Sequence, residues 1–170
     1  MRRFVLIFGF ALLAAACGGE QISEQLAEQA IGGNADVQIS GDGDDVTINI
    51  ESDEGSISIG SGAELPDSLA VPVPDGGDVM SSFSDTNSAG ASIMYPGDRY
   101  DEIVTFYESW TAGTGGDWQN STSTFELDGQ TQRTSQWNNE GNQYFILVAD
   151  CIDIGTGEHT STCVTINENL

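Results

Sequence analysis

Between residues 36 and 60 the apolar side chains fall on every second position. Val37 and Ile39, then Val46, Ile48 and Ile50, then Ile57 and Ile59 each alternate with Gln, Ser, Thr or Asn. A period of two marks strands with one apolar face. The breaks between them, Gly-Asp-Gly-Asp-Asp at 41–45 and Asp-Glu-Gly at 53–55, have turn chemistry, so the segment predicts a three-stranded meander. A meander of that size is marginal alone. Upstream, Ile22, Leu26 and Ala30 stand at helical spacing and Gly32-Gly33 closes the run as a C-terminal cap would. A short helix over 21–31 is therefore the nearest cover for the meander.

Three of the four prolines, Pro66, Pro72 and Pro74, then fall close together. Proline removes ladder donors and favours extended backbone, so this stretch reads as a connector. Beyond it, Val79 to Phe83 and Ala91 to Tyr95 are candidate strands around a polar loop. The period then switches: Tyr100, Ile103, Val104, Tyr107 and Trp110 lie at helical spacing, with Asp98 at the N-cap, Asp101 three residues on and Gly113 past the end. From Trp118 strands return. An Asp-Gly pair at 128–129 predicts a hairpin joining 118–127 to 130–138, and residues 138–142 make the next turn. Tyr144 to Ala149 is apolar at consecutive positions, which places it inside a sheet with both faces covered. The last strand holds Cys163, Val164 and Ile166. The predicted fold class is α+β: one helix packed on an antiparallel sheet of five or six strands, preceded by the short helix and the small meander.

The first residues obey a different logic. Arg2 and Arg3 form a charged start, Phe4 to Leu13 an apolar run, and Ala14 to Ala16 the small residues ahead of a cut. Thirteen residues from Phe4 to Ala16 fall short of the ~20 that a helix needs to span a bilayer. This is a segment to be removed. Leu-Ala-Ala-Ala-Cys-Gly-Gly at 13–19 resembles the bacterial lipobox, in which the cysteine after the small residues is lipidated on its sulfur and becomes the mature N-terminus; Ala14 stands where that pattern more often has Leu. The resemblance implies that Cys17 is the lipidation site and the membrane a partner through the lipid. The alternatives are an ordinary secretory signal and an uncleaved anchor. The implied divisions are a signal peptide at 1–16, the lipidated N-terminus with helix and meander at 17–62, a Pro/Gly-rich connector at 63–78 and an α+β domain at 79–170.

Charge and cysteines narrow the setting. There is no Lys, and once Arg2 and Arg3 leave with the signal, the chain's 27 acids face only Arg99 and Arg133, a net charge of −25. Nucleic acid and anionic lipid head groups are repelled by such a field. Setting Cys17 aside leaves Cys151 and Cys163, an even number in an exported chain, which points to a structural disulfide closing a C-terminal hairpin, against two free buried thiols. A 12-residue separation is worth about 3 kcal/mol of loop entropy.

Little in the chain promises catalysis. His159 is the only His, expected solvated in a hairpin loop, and no Gly-x-Ser-x-Gly elbow or phosphate-binding glycine loop occurs. Asp42, Asp44 and Asp45 offer the oxygens that calcium prefers, but the EF-hand spacing fails at Val46 and Asn49, and turn formation accounts for them. Trp118 and Trp137 flank a Ser/Thr/Gln-rich stretch as edges of the core, with a carbohydrate-stacking surface as the sharper alternative. No metal or other cofactor is expected. The layout, with Leu-Pro at 65–66, Val-Pro-Val-Pro-Asp-Gly at 71–76 and Asp-Glu-Ile-Val-Thr-Phe-Tyr at 101–107, resembles a group of bacterial envelope lipoproteins of unassigned function, from about Ile22 to Ile166. That resemblance implies an exported, anchored protein and brings no catalytic residue. The function expected is a non-catalytic binding or interaction domain facing outside the cytoplasm, its protein or ligand partner unnamed. The alternatives are a hydrolase that uses carboxylates alone, a cation-binding protein, or a carrier of an apolar ligand.

Overall fold

The computed structural model describes residues 35–41, 46–127, 129–139, 141, 143–152 and 159–169, with side chains apart from those of 127, 152, 159 and 160. The helix expected over 21–31 lies outside them. Nine strands and one helix follow in the order β1 (Ala35–Ser40), β2 (Thr47–Ser52), β3 (Gly55–Ile59), β4 (Asp78–Asp85), β5 (Ser88–Pro96), α1 (Tyr100–Thr114), β6 (Trp118–Leu127), β7 (Gln130–Asn139), β8 (Tyr144–Ile152) and β9 (His159–Asn169). The helix runs past its expected end, to a cap at Gly115, and Arg99 occupies the N-cap position. Asp98 still contributes, its Oδ1 accepting the Tyr100 N–H at 3.3 Å.

All nine strands form one antiparallel sheet, in the spatial order β1-β2-β3-β4-β5-β9-β8-β7-β6. The expectation of a five- or six-stranded sheet with a separate meander is thereby corrected. The junction is the β3–β4 ladder, with Ile57 opposite Phe83 and Ser58 opposite Ser82. Residues 60–77 leave the sheet after β3 and return beside the strand they left, so a connector rich in proline joins neighbouring strands of one sheet instead of dividing the chain. Helix α1 then carries the chain from β5 to the far rim, and β6 to β9 meander back until β9 pairs with β5, Ala91 opposite Ile166.

The core lies between the sheet and α1. Alternation sends Ala91, Ile93 and Tyr95 of β5, Val164 and Ile166 of β9, Ile146 and Val148 of β8 and Trp137 of β7 to one face. Tyr100, Ile103 and Tyr107, three and four residues apart, point from the helix onto it. The proline segment supplies the remaining wall: Val71 is 1 % exposed and sits in the same cluster. Prolines cannot donate to a ladder, so the strap is fixed through its carbonyls and remaining amides. Tyr107 donates its hydroxyl to the Pro72 carbonyl at 3.2 Å, and Tyr95 donates to that of Pro74 at 2.9 Å. Burial pushes the Tyr95 phenol up to about 12 and raises that of Tyr107 further. Gly77 lets the strap lie this close, because a Cβ there would stand 2.4 Å from Ile93 and 2.7 Å from the Tyr95 ring.

The clasp at the middle of the strap is a carboxylate. Glu168, 1 % exposed at the end of β9, accepts the Ala70 N–H at 3.0 Å on one oxygen and the Val71 N–H on the other. A buried acid held by consecutive backbone amides satisfies both partners without a cation.

The other face of the sheet is built differently. Val37, Ile39, Ile48, Ile50, Ile57, Ile59 and Phe83 lie there, opposite one another across β1 to β4. Of these only Val37 is fully buried, while Ile57 and Ile59 are 44 % and 48 % exposed. Gly90 extends the row into β5 as the floor under the Phe83 ring, since a Cβ there would meet that ring at 2.4 Å. Phe145 and Leu147 share this face and are half-buried, so β8, expected to be covered on both faces, is sealed only on the side of Ile146 and Val148.

Candidate functional site

The N-terminal end of α1 gathers both arginines of the described residues. Arg133 on β7 stands across from Asp150 on β8, one step beyond the Thr134–Ala149 pair. Asp150 Oδ2 accepts the Arg133 backbone N–H at 2.8 Å and its Nε–H at 2.9 Å, and Oδ1 accepts Nη2–H at 2.8 Å. The same Nη2 donates to Asp98 Oδ1 at 2.7 Å, and Nη1 lies 3.6 Å from Asp101 Oδ2. Below the guanidinium, 4.4 Å from its carbon, is the Tyr100 ring. Tyr100 shares a hydrogen bond of 2.8 Å with Ser135, which shares another of 2.9 Å with Thr122 on β6.

This cluster fills the wall of an open cavity of about 450 Å³, also lined by Gln130, Thr131 and Ser161. The Asp150 side chain is 6 % exposed and Arg133 27 %, against 68 % for Asp98 and 90 % for Asp101. Hydrogen bonding to Asp150, then to Asp98, holds the Arg133 guanidinium above its ordinary range. The exposed pairs add little, and the bidentate pair with buried Asp150 is the structural one. Asp98 and Asp101 also sit where the helix dipole favours negative charge. The chemistry is that of a staple: three acids around one cation, joining α1 to β7 and β8.

Arg99 forms a second, smaller fork. Its Nε and Nη2 donate to the Glu102 carboxylate at 3.0 and 2.5 Å, Nη1 donates to the Asp75 carbonyl at 2.8 Å, and its carbon lies 5.1 Å from the Tyr95 ring centre. The hydrogen bond from Arg99 lowers the Glu102 carboxyl below its usual range. Strap, helix and β5 are thus tied at one corner. Between strap and helix runs an open groove of about 680 Å³ along Pro72, Pro74, Phe106 and Trp110.

Of the residues singled out in the sequence, Cys151 and Cys163 come together. They lie on the face away from α1, diagonal across the β8–β9 ladder, at disulfide-bonding distance with 5.7 Å between Cα atoms. Cys17 and the acids Asp42, Asp44 and Asp45 fall outside the described residues. His159, expected in a loop, begins β9 opposite Ile152. Trp137 is core at 2 % exposure, and Trp118 joins Trp110 and Tyr144 in a three-ring cluster, 5.4 Å and 6.0 Å from them, beside the helix C-terminus. Trp137 therefore offers no stacking platform. Arg133, Asp150 and Glu168 escape a motif search because their partners are distant in sequence. Scarcity was the available signal: Arg99 and Arg133 are the two arginines beyond Arg3 in a chain with 27 acids, so carboxylate partners were the expected ones. Among the described residues no group of three or more His, Cys, Asp or Glu side chains is arranged to hold a metal ion.

No protein-family model matches this chain, and no curated protein matches it in sequence.

Proposed function

We propose that this chain is a lipid-anchored domain of the bacterial envelope, facing outside the cytoplasm, that works by binding and not by catalysis. The observation that carries the reading is the sequence at 13–19, where small residues precede Cys17 after a short apolar run. The anchor follows from acyl chemistry: each buried CH₂ adds roughly 0.8 kcal/mol, so two or three chains make attachment nearly permanent. The Cys151–Cys163 pair suits an oxidising compartment. The charged groups lining the 450 Å³ cavity are bonded to one another in a structural staple, which favours binding over turnover.

The test is Cys17→Ser with a metabolically incorporated fatty-acid label. The variant should lose the label and either leave the membrane fraction or persist as an uncleaved precursor. Label retained on the Ser variant contradicts the anchor.

A further inference from the structure

We propose that the outer edge of β6 is a strand-addition site for an extended segment of another protein, one with an uncharged centre and basic residues at both ends. The proposal rests on the reading of the chain as a binding domain and assigns that binding a place.

The sheet has two rims, β1 and β6. β6 pairs with β7 at ten consecutive positions without interruption, whereas the β4–β5 and β8–β9 ladders each contain a shift in register. An antiparallel strand bonded on one side leaves alternate N–H and C=O groups pointing outward on the other. Such an edge is a template for a further strand, and proteins usually block it with Lys, Pro, a bulge, brevity or a covering segment. β6 has none of these among the described residues. It is ten residues long, contains neither Pro nor a basic residue, and every side chain from 119 to 126 is exposed, so no other described part of the chain lies over it. The opposite rim is shorter, six residues, and includes buried Val37.

Two features make β6 presentable as well as open. Cross-strand bonds fix its side chains to β7, Ser123 to Thr134 at 2.7 Å and Thr122 to Ser135 at 2.9 Å. Its charge is also unlike that of the rest of the molecule. Residues 119–125, Gln-Asn-Ser-Thr-Ser-Thr-Phe, are uncharged in a chain with 27 acids, yet Asp117 stands before them and Glu126 and Asp128 after. Opposite charges across a strand pair attract and like charges repel. A partner strand with basic ends therefore fits either direction of pairing. A second copy does not, because its own acidic ends would meet Asp117 and Glu126 and its net charge of −23 would add to the repulsion. In strand addition the backbone bonds supply affinity and the alternate side chains specificity.

The probe is a synthetic peptide of alternating threonine and valine with two lysines at each end, titrated into the isotope-labelled full chain by nuclear magnetic resonance. Exchange protection should appear on alternate amides of residues 119–126 alone. The same peptide with every backbone amide methylated, which blocks both of its edges, should bind roughly tenfold more weakly or worse, through lost backbone bonds. Thr124→Pro and Phe125→Pro occupy adjacent exposed positions, so the backbone N–H of one of them faces outward; that variant should keep the native spectrum and lose the peptide. No protection at millimolar peptide, or equal binding by the methylated form, overturns the proposal. Perturbation at Ile57 and Ile59 or in the Phe106–Trp110 groove overturns it too, while leaving a binding domain with a different surface. A dimer joined through β6 in sedimentation would make the second copy the occupant and refute the basic partner.

Discussion

The two halves of the sheet share one hydrogen-bond network and bury opposite faces. In β5, β7, β8 and β9 the fully buried apolar side chains turn toward α1 and the strap, where Ile93, Ile146, Val148, Val164 and Ile166 are at most 1 % exposed. In β1 to β3, and at Phe83 of β4, apolar side chains turn the other way, while Val79 at the start of β4 still packs on the covered core; positions facing the helix side carry Ser and Asn that bond to each other: Ser58 donates to Asn49 at 2.5 Å, and Ser56 meets Ser84 at 3.1 Å. Successive side chains point to opposite faces of the sheet in both halves. What differs is the presence of a lid. Burial against helix and strap stabilises one half, while backbone pairing and short polar contacts extend the sheet into the other. A strand's pattern thus says that it has two unlike faces, and the surrounding layers decide which one contributes stability.

Substitutions probe that contrast in order of expected size. Trp137→Ala, which empties the centre of the covered half, should cost about 3–5 kcal/mol and Ile146→Ala about 2–5 kcal/mol in denaturant unfolding. Glu168→Ala comes next, because it leaves the Ala70 and Val71 amides without an acceptor, and one buried unsatisfied donor costs about 1–3 kcal/mol. If the strap is part of the core, its protease sensitivity should rise in that variant; unchanged cleavage and stability would show that Glu168 does not hold it. Ile57→Thr, on the open face and still β-branched, should change stability by about 0.5 kcal/mol or less. A loss at Ile57 as large as that at Ile146 would erase the distinction between the halves.

The strands themselves were legible. Period-two alternation marked β1 to β3, the Asp-Gly pair located the β6–β7 hairpin, and the helical spacing of Tyr100, Ile103 and Tyr107 named the face of α1 that is buried. Partnership was not legible, since alternation carries no information on which strand lies alongside. The Leu-Pro and Val-Pro-Val-Pro run looked like a boundary because proline cannot enter a ladder, and the same property made it a strap laid across one. The charged staple and the Glu168 clasp depend on contacts between residues up to 98 positions apart, as in Ala70 to Glu168, which no local pattern records. The cysteine pair was readable because counting suffices once Cys17 is set aside as the proposed lipidation site. The edge of β6 was half readable: its neutral composition stood out, and its place at the rim required the topology.

Native-state hydrogen exchange tests most directly the claim that one sheet contains two halves of unequal support. Amides of β8 and β9, central and covered by α1, should exchange only through global unfolding. Those of β1 to β3 should exchange through a smaller opening at lower free energy, with the β3–β4 ladder the last of that half to open. A single exchange free energy across all nine strands, or greatest protection in β1 to β3, would contradict the account.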